Sequence, residues 1–275
     1  MAILQCSIYS KSLQRTIPVN VILPADRQDF FGNYLFEPPY KTLYLLHGIF
    51  GSSEDWMTGT RVIRWANDHG IAVVMPSGEN RFYVDHPGGG ENFAELIGEE
   101  LVEVTRRMFP LSDKREDTYI GGLSMGGYGA IRNGLAHPET FGGIAALSSA
   151  LLLDQPLPQD DSAPILIGRR SFMEGCFGRG FDELDESFDH HHLANQVLAS
   201  GIPAPRIYMA CGTEDPLYPL DEAFAKELDD LGYDVTWDSE PGGHEWDFWD
   251  RQIFKVLNWM DPSEAKEAVS SGHVQ

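Results

Sequence analysis

Apolar residues occur along this chain in two patterns, short uninterrupted runs and longer stretches with apolar positions three or four apart. Short runs rich in Val, Ile and Leu are typical of strands buried on both faces of a parallel sheet. A spacing of three or four indicates an amphipathic helix. The chain accordingly predicts strands at 42–46, 71–75, 118–123, 143–147, 206–211 and 233–239, and helices at 61–68, 93–109, 126–136, 220–231 and 246–260.

The alternation of these strands and helices predicts an α/β fold with a mostly parallel central sheet and helices on both faces, as in the α/β-hydrolase fold. Residues 3–9 and 17–23 differ, because a short polar turn joins them into an antiparallel hairpin expected at the sheet edge. Since α/β folds of this size form single units, we expect one domain over residues 1–261.

Two segments depart from this alternation. Residues 151–205 contain Pro156, Pro158, Pro164 and several acidic residues, and predict a cap-like insertion above the strand ends that either shapes substrate access or is structural. The polar tail, 262–275, is expected to fray.

Charge and cysteine content restrict the partners and the compartment. The 42 acidic and 20 basic residues give a net charge of -22, whereas nucleic acids and anionic membranes bind clustered Lys and Arg. No apolar run approaches the roughly 20 residues of a membrane helix, and no secretion signal is visible at the start. The three cysteines, Cys6, Cys176 and Cys211, are widely spaced. We therefore expect a cytoplasmic protein that acts on a small molecule, with self-association left open.

The chemistry centres on Ser124, in the run Gly122-Leu123-Ser124-Met125-Gly126. This run lies between a predicted strand and a predicted helix, the context that the G-x-S-x-G nucleophile elbow requires. Glycines at 122 and 126 remove side chains that would collide across so tight a turn. The pattern predicts that Ser124 is a catalytic nucleophile.

A serine hydroxyl needs a base to take its proton, and the base needs a third group to orient it. In this fold the acid follows the serine and the histidine comes last. Asp215 follows the 206–211 strand and His244 follows the last strand, so both occupy the expected loops. Glu214 is the nearest rival for the acid. More distant alternatives are Asp238 and Asp247.

The other histidines fit the role of base less well. His69 and His137 stand at predicted helix ends, where a polar side chain helps to satisfy terminal carbonyls. The triplet 190–192 lies inside the insertion and resembles a metal site at first sight. Adjacent residues on a helix or strand are not expected to converge on one ion, so we predict a solvated run and no metal.

Backbone N–H groups are expected to stabilise the tetrahedral oxyanion. One comes from Met125, the residue after the nucleophile. The other comes from the loop after the 42–46 strand, where the pair His47-Gly48 favours a turn that aims Ile49, or alternatively Phe50, at the site. The side chain of His47 is expected to be structural.

Several motifs together resemble the esterase D family, and within it the tributyrin-esterase-like branch. They are the elbow from Gly121 to Ala130, His47-Gly48 with Gly51 and Trp56, the run 82–85, and the ending Gly243-His244-Glu245-Trp246-Asp247-Phe248-Trp249. The resemblance spans nearly the whole chain. It implies a serine carboxylesterase for short acyl chains that needs no cofactor, and it supports Ser124, Asp215 and His244 as the triad.

The wider family leaves the substrate open. It includes feruloyl and acetyl-xylan esterases, S-formylglutathione hydrolases and mycolyltransferases, and an inactive scaffold used for binding is the non-enzymatic alternative. Departures from relatives are expected at 87–90 and in the insertion. Aromatic residues near the predicted site are candidates for the pocket wall, although each could serve in the core: Phe50, Tyr83, Tyr218 and Trp246.

Overall fold

Eight strands of the computed structural model form one twisted sheet. They are β1 Ala2–Ser10, β2 Arg15–Leu23, β3 Thr42–Leu46, β4 Ala72–Pro76, β7 Thr118–Leu123, β8 Gly143–Leu147, β9 Arg206–Gly212 and β10 Val235–Glu240, while β5 Asp85–His86 and β6 Glu91–Asn92 form a separate short ribbon. The order across the sheet is β1-β2-β4-β3-β7-β8-β9-β10. Within this sheet, as far as the structure describes it, β2 pairs antiparallel with β1 and β4, and the six consecutive strands from β4 to β10 are parallel.

The alternation of side chains within each strand builds a core on both faces of the sheet. Successive residues of a strand point to opposite faces. On β3, Tyr44 and Leu46 therefore belong to one hydrophobic cluster, and Leu43 and Leu45 to the other. All of β3 is buried, which explains why the run is continuously apolar rather than alternating.

Helices cover both clusters. They are α1 Asp55–Gly59, α2 Val62–His69, α3 Phe93–Glu95, α4 Leu101–Met108, α5 Met125–Ala136, α6 Arg170–Phe177, α7 His190–Ser200, α8 Tyr218–Leu231 and α9 Trp246–Met260. Residues of α2 and α9 pack in the cluster of Leu43, whereas those of α4 to α8 pack in the cluster of Tyr44. The α/β-hydrolase fold predicted from the alternation is confirmed.

One predicted helix is not a continuous α-helix. The helix expected at 93–109 is interrupted by a π-helical turn at Leu96–Glu100. At the end of this turn, the Glu100 carboxylate accepts hydrogen bonds from the Ser10 hydroxyl and from the backbone of Lys11 and Ser12. These contacts attach the turn of the predicted edge hairpin to the helix layer.

The described part of the segment between β8 and β9 contains α6, α7 and the 3-10 turns Leu152–Asp154, Leu166–Gly168 and Glu186–Phe188. The structure describes residues 2–86, 90–178, 185–263 and 266, so most of the predicted departure at 87–90 and most of the tail predicted to fray, 262–275, lie outside it. No helix in these ranges is long and apolar enough to cross a membrane.

Candidate active site

Ser124 stands at the junction of β7 and α5 in a backbone conformation that few non-glycine residues adopt. Its φ is 54° and its ψ is -119°. A Cβ atom at position 126 would overlap the Leu46 carbonyl oxygen, and one at 122 would overlap the backbone of Gly126. Glycine at both positions therefore allows the turn to close and presents the Ser124 side chain at the end of the strand.

Three side chains from three loops form a continuous hydrogen-bonded line. His244 Nε2 lies 3.0 Å from Ser124 Oγ, and His244 Nδ1 lies 2.8 Å from Asp215 Oδ2. Asp215 is only 3% exposed. Burial raises the pKa of its carboxyl, but hydrogen bonds from His244 and from the Leu217 backbone outweigh that effect and hold the pKa below its ordinary value. The carboxylate can then only accept, so Nδ1 donates and the Nε2 lone pair faces the serine hydroxyl.

The rival acids are engaged elsewhere. The Glu214 carboxylate accepts a hydrogen bond from the Gly242 backbone, which supports the loop that carries His244. Asp238 accepts from Lys255 and from the Tyr208 hydroxyl, and Asp247 is exposed at the start of α9. His244 thus contacts Asp215 and not its neighbour.

His47 holds the loop beside the serine. Its Nε2 accepts the Gly78 N–H at 2.9 Å, so Nδ1 carries the proton and donates to the Gly48 carbonyl at 2.7 Å. The Tyr83 hydroxyl donates to the His47 carbonyl at 2.9 Å. Burial lowers the pKa of His47. A neutral imidazole with both nitrogens occupied has a structural role, as the sequence indicated.

The backbone N–H groups at residues 49, 50 and 125 are the candidates for an oxyanion hole. Phe50 N–H is occupied, since it donates to Asn80 Oδ1 at 2.8 Å. Within the described residues, the N–H groups of Ile49 and Met125 make no hydrogen bond, and both residues line the same cavity as Ser124. This favours Ile49 over Phe50 as the partner of Met125 in an oxyanion hole.

A cavity of about 700 Å³ opens over the serine. Its described wall is mostly apolar and contains neither Lys nor Arg, while the carboxylates of Asp55 and Glu245 contribute negative charge. The lining residues are Gly48, Ile49, Phe50, Gly51, Asp55, Phe82, Leu123, Ser124, Met125, Ala150, Leu152, Ile165, Ile167, Pro216, Leu217, His244, Glu245, Trp246 and Trp249.

Two of the four aromatic candidates line this cavity, namely Phe50 and Trp246. Tyr83 does not, because it is fully buried in the core and its hydroxyl donates to the His47 carbonyl. Tyr218 is also outside the wall, since it packs on Trp237 and its hydroxyl donates to Glu222. The prediction that these two tyrosines line the pocket was therefore wrong, because closeness in sequence to the predicted site residues does not fix where a side chain lies.

The structure adds contacts that sequence reasoning missed. The ring of Trp249 stands perpendicular to that of His244 with centroids 4.9 Å apart, and its Nε1 donates to Ser148 Oγ at 3.1 Å. Trp249 follows Trp246 by three residues on a predicted helix, and this spacing indicates that the two side chains are neighbours. The insertion contributes Leu152, Ile165 and Ile167 to the cavity wall. No local pattern distinguished these from other apolar residues of the segment.

The side chains of two adjacent histidines converge on one carboxylate, contrary to the expectation from the sequence. The imidazoles of His190 and His191 lie with centroids 4.2 Å apart, and each Nε2 is 3.2 Å from one oxygen of Asp154. These three side chains form a cluster that could hold a metal ion. Adjacent histidines do converge here, because both stand in the first turn of α7 and share a partner from a distant part of the chain.

The features of the site around Ser124 are those of a serine hydrolase of the α/β-hydrolase fold. The serine lies in a strained turn, the histidine is oriented by a carboxylate, and both follow strands of a parallel sheet. The Esterase family model matches residues 10–260. The chain belongs to this family and is a serine esterase.

Known relatives agree with this class. An acetyl esterase of Caldicellulosiruptor saccharolyticus is 40% identical over 263 residues, which cover 94% of this chain and 98% of the relative. Among solved structures, the fluorophosphonate-binding serine hydrolase FphF of Staphylococcus aureus is similar with a TM-score of 0.79 and 28% identity, covering 94% of this chain and 98% of that one. The S-formylglutathione hydrolase FrmB of the same organism gives a TM-score of 0.78, with the same identity and coverage.

Proposed function

We propose that this esterase hydrolyses neutral esters of short-chain acids through a triad of Ser124, His244 and Asp215. The observation that carries the proposal is the line of contacts from Ser124 Oγ through His244 to the buried Asp215 carboxylate. Acyl transfer requires a base within hydrogen-bond reach of the nucleophile and an acid that orients the base, and this line of contacts supports those roles.

In the first half-reaction, His244 Nε2 takes the hydroxyl proton as Ser124 Oγ attacks the ester carbonyl. The N–H groups of Ile49 and Met125 bind the oxyanion of the tetrahedral intermediate. The intermediate collapses when its C–O bond breaks and His244 gives the proton to the departing alcohol. An acyl group remains on Ser124.

In the second half-reaction, His244 takes a proton from water as the hydroxide attacks the acyl carbonyl. Collapse of this second intermediate releases the acid and returns the proton to Ser124. Throughout, Asp215 stabilises the imidazolium and keeps Nδ1 as the protonated nitrogen.

The cavity supports the substrate class. Its mostly apolar wall suits an uncharged acyl group, and the similarity to an acetyl esterase favours short chains. The carboxylates of Asp55 and Glu245, with no cation in the described wall, disfavour an anionic leaving group such as glutathione. These observations support our proposal that the chain belongs to the tributyrin-esterase-like branch of the esterase D family, ahead of the thioesterase branch. Three unpaired cysteines favour the cytoplasm as its compartment.

The test combines active-site labelling with kinetics on p-nitrophenyl esters from acetate to octanoate. A fluorophosphonate probe should label the wild type at Ser124, and Ser124→Ala should lose the label and at least about 10⁴-fold in kcat. Ser171→Ala, at an exposed serine on α6, should keep both. Hydrolysis by Ser124→Ala at the wild-type rate would refute the mechanism. Faster turnover of S-formylglutathione than of any neutral ester would refute the substrate class.

A further inference from the structure

A second cluster of side chains, three of them in the 151–205 segment, lies apart from the proposed triad. It consists of four side chains, here called the histidine cluster: Asp154, His190, His191 and Glu227. Asp154 ends the 3-10 turn that follows β8, the histidines begin α7, and Glu227 belongs to α8. None of these residues lines the cavity over Ser124.

His191 has a carboxylate oxygen at each ring nitrogen. Nδ1 is 2.7 Å from Glu227 Oε2, and Nε2 is 3.2 Å from Asp154 Oδ1. A neutral imidazole carries one N–H, so one lone pair would otherwise point at an anionic oxygen. The arrangement is stable only when a cation supplies positive charge between ring and carboxylate. That cation is either a second ring proton or a metal ion.

We propose that the histidine cluster binds one divalent transition-metal ion of the Zn²⁺ type through His190 Nε2, His191 Nε2 and Asp154. The three ligand atoms lie within 4.8 Å of one another, and each nitrogen is 3.2 Å from a carboxylate oxygen. Tetrahedral zinc with bonds of about 2.0–2.2 Å separates its ligands by about 3.3 Å. Imidazole nitrogen favours such an ion over Mg²⁺ or Ca²⁺, which prefer oxygen alone.

Two further contacts fit a ligand role. Glu227 accepts from Nδ1 of His191, which fixes the tautomer whose Nε2 lone pair faces Asp154, a common support of metal-bound histidine. His190 is 1% exposed and packs edge-on against Phe224 with ring centroids 4.5 Å apart. Among the described residues its buried Nδ1 has no hydrogen-bond partner, and the polar contact of its ring is that of Nε2 with Asp154. The position of this nitrogen is therefore set by packing before any ion arrives.

The bound ion would brace the substrate cavity without entering the reaction. Asp154 lies two residues after Leu152, which lines the cavity, and α8 begins directly after Leu217, which also lines it. An ion bound by Asp154 and by the histidines of α7, one of which contacts Glu227 of α8, would connect the segments that carry these cavity residues. Because this role is structural, it is independent of the proposed triad.

The test uses the untagged full-length protein, freed of metal by a chelator and then titrated with ZnCl₂ and, for spectroscopy, CoCl₂. We expect one equivalent to bind, the visible bands of tetrahedral Co²⁺ to appear, and the unfolding temperature to rise by about 5–10 °C at a hundredfold excess of free Zn²⁺ over its Kd. Asp154→Asn and His191→Gln should abolish this binding. Glu227→Gln should weaken it by about 10- to 100-fold.

Two controls separate the cluster from other sites. His192→Gln changes the next histidine, whose imidazole is half-exposed and lies 3.5 Å from the Glu186 carboxylate, and this variant should bind the ion as the wild type does. His244→Gln should also retain binding, since it removes the imidazole at the proposed triad. The proposal is overturned when the metal-free wild type takes up no equivalent of Zn²⁺, which would mean that a proton alone fills the cluster. It is equally overturned when His191→Gln binds as tightly as the wild type. The wild-type titration decides the question even where a variant fails to fold.

Discussion

Replacing Asp215 by Asn is the most informative single perturbation of the proposed triad, because it changes one atom and leaves the shape of the side chain. In the wild type Oδ2 accepts from His244 Nδ1 at 2.8 Å, and Oδ1 accepts from the Leu217 N–H at 2.9 Å. Asparagine has only one acceptor oxygen for these two donors. With that oxygen on Leu217, the amide NH₂ faces Nδ1, which must then become the acceptor.

The consequence is a change of tautomer at His244. The ring proton moves to Nε2, which then donates to Ser124 Oγ instead of taking its proton. In other Ser-His-Asp enzymes the equivalent change lowers kcat by about 10⁴-fold. At about 1.36 kcal/mol for each factor of ten, this corresponds to about 5.4 kcal/mol of lost transition-state stabilisation. We expect a loss of this size for Asp215→Asn, with KM nearly unchanged.

The assay is steady-state hydrolysis of p-nitrophenyl acetate, together with the rate of fluorophosphonate labelling at Ser124. Glu214→Gln is the matched control, because it is the neighbouring acid and its remaining carbonyl can still accept from Gly242. It should stay within a few-fold of the wild type. A kcat for Asp215→Asn within tenfold of the wild-type value, in a protein with an unchanged melting curve, would refute the tautomer argument.

Two further predictions concern the cavity and the hairpin. Ile167→Trp should narrow the cavity, so that kcat/KM falls about tenfold more for p-nitrophenyl octanoate than for p-nitrophenyl acetate. Ile202→Trp, on the surface of the same segment, should not cause this difference. Equal losses of kcat/KM on both esters in Ile167→Trp would contradict the prediction. Glu100→Gln should destabilise the protein by about 2–3 kcal/mol at pH 7 in urea unfolding, and Glu99→Gln, at an exposed neighbour, should not. Although burial raises the pKa of Glu100, hydrogen bonds from residues 10–12 lower it below 4.5, so its contribution is present above pH 4.5 and disappears as the pH falls below that value. A gap between wild type and Glu100→Gln that does not narrow as the pH is lowered stepwise below 4.5 would disprove this assignment.

Many features of this fold could be predicted from short stretches of sequence, because burial and backbone conformation depend largely on neighbouring residues. The continuous burial of β3 follows from its apolar run, and the strain at Ser124 required the glycines on either side of it. Chain order in the fold then indicated Asp215 and His244, and the structure brings both into hydrogen-bond contact with one another. Uninterrupted apolar runs indicate strands buried on both faces, and apolar positions three or four apart indicate the buried side of a helix, which was sufficient for the fold.

Contacts between distant segments could be decided only by the tertiary structure. Phe50 and Tyr83 are both aromatic residues near predicted site residues in the sequence, yet Phe50 lines the cavity and Tyr83 is buried against the His47 carbonyl. The rings of His190 and His191 acquire a shared partner only because the turn at Asp154, 36 residues earlier, folds against α7. A periodic pattern shows that a face is covered but not what covers it, since the partner is chosen by packing over the whole chain. Sequence alone therefore determined the fold and the residues proposed for the chemistry, while the cavity wall and the histidine cluster are products of the assembled structure.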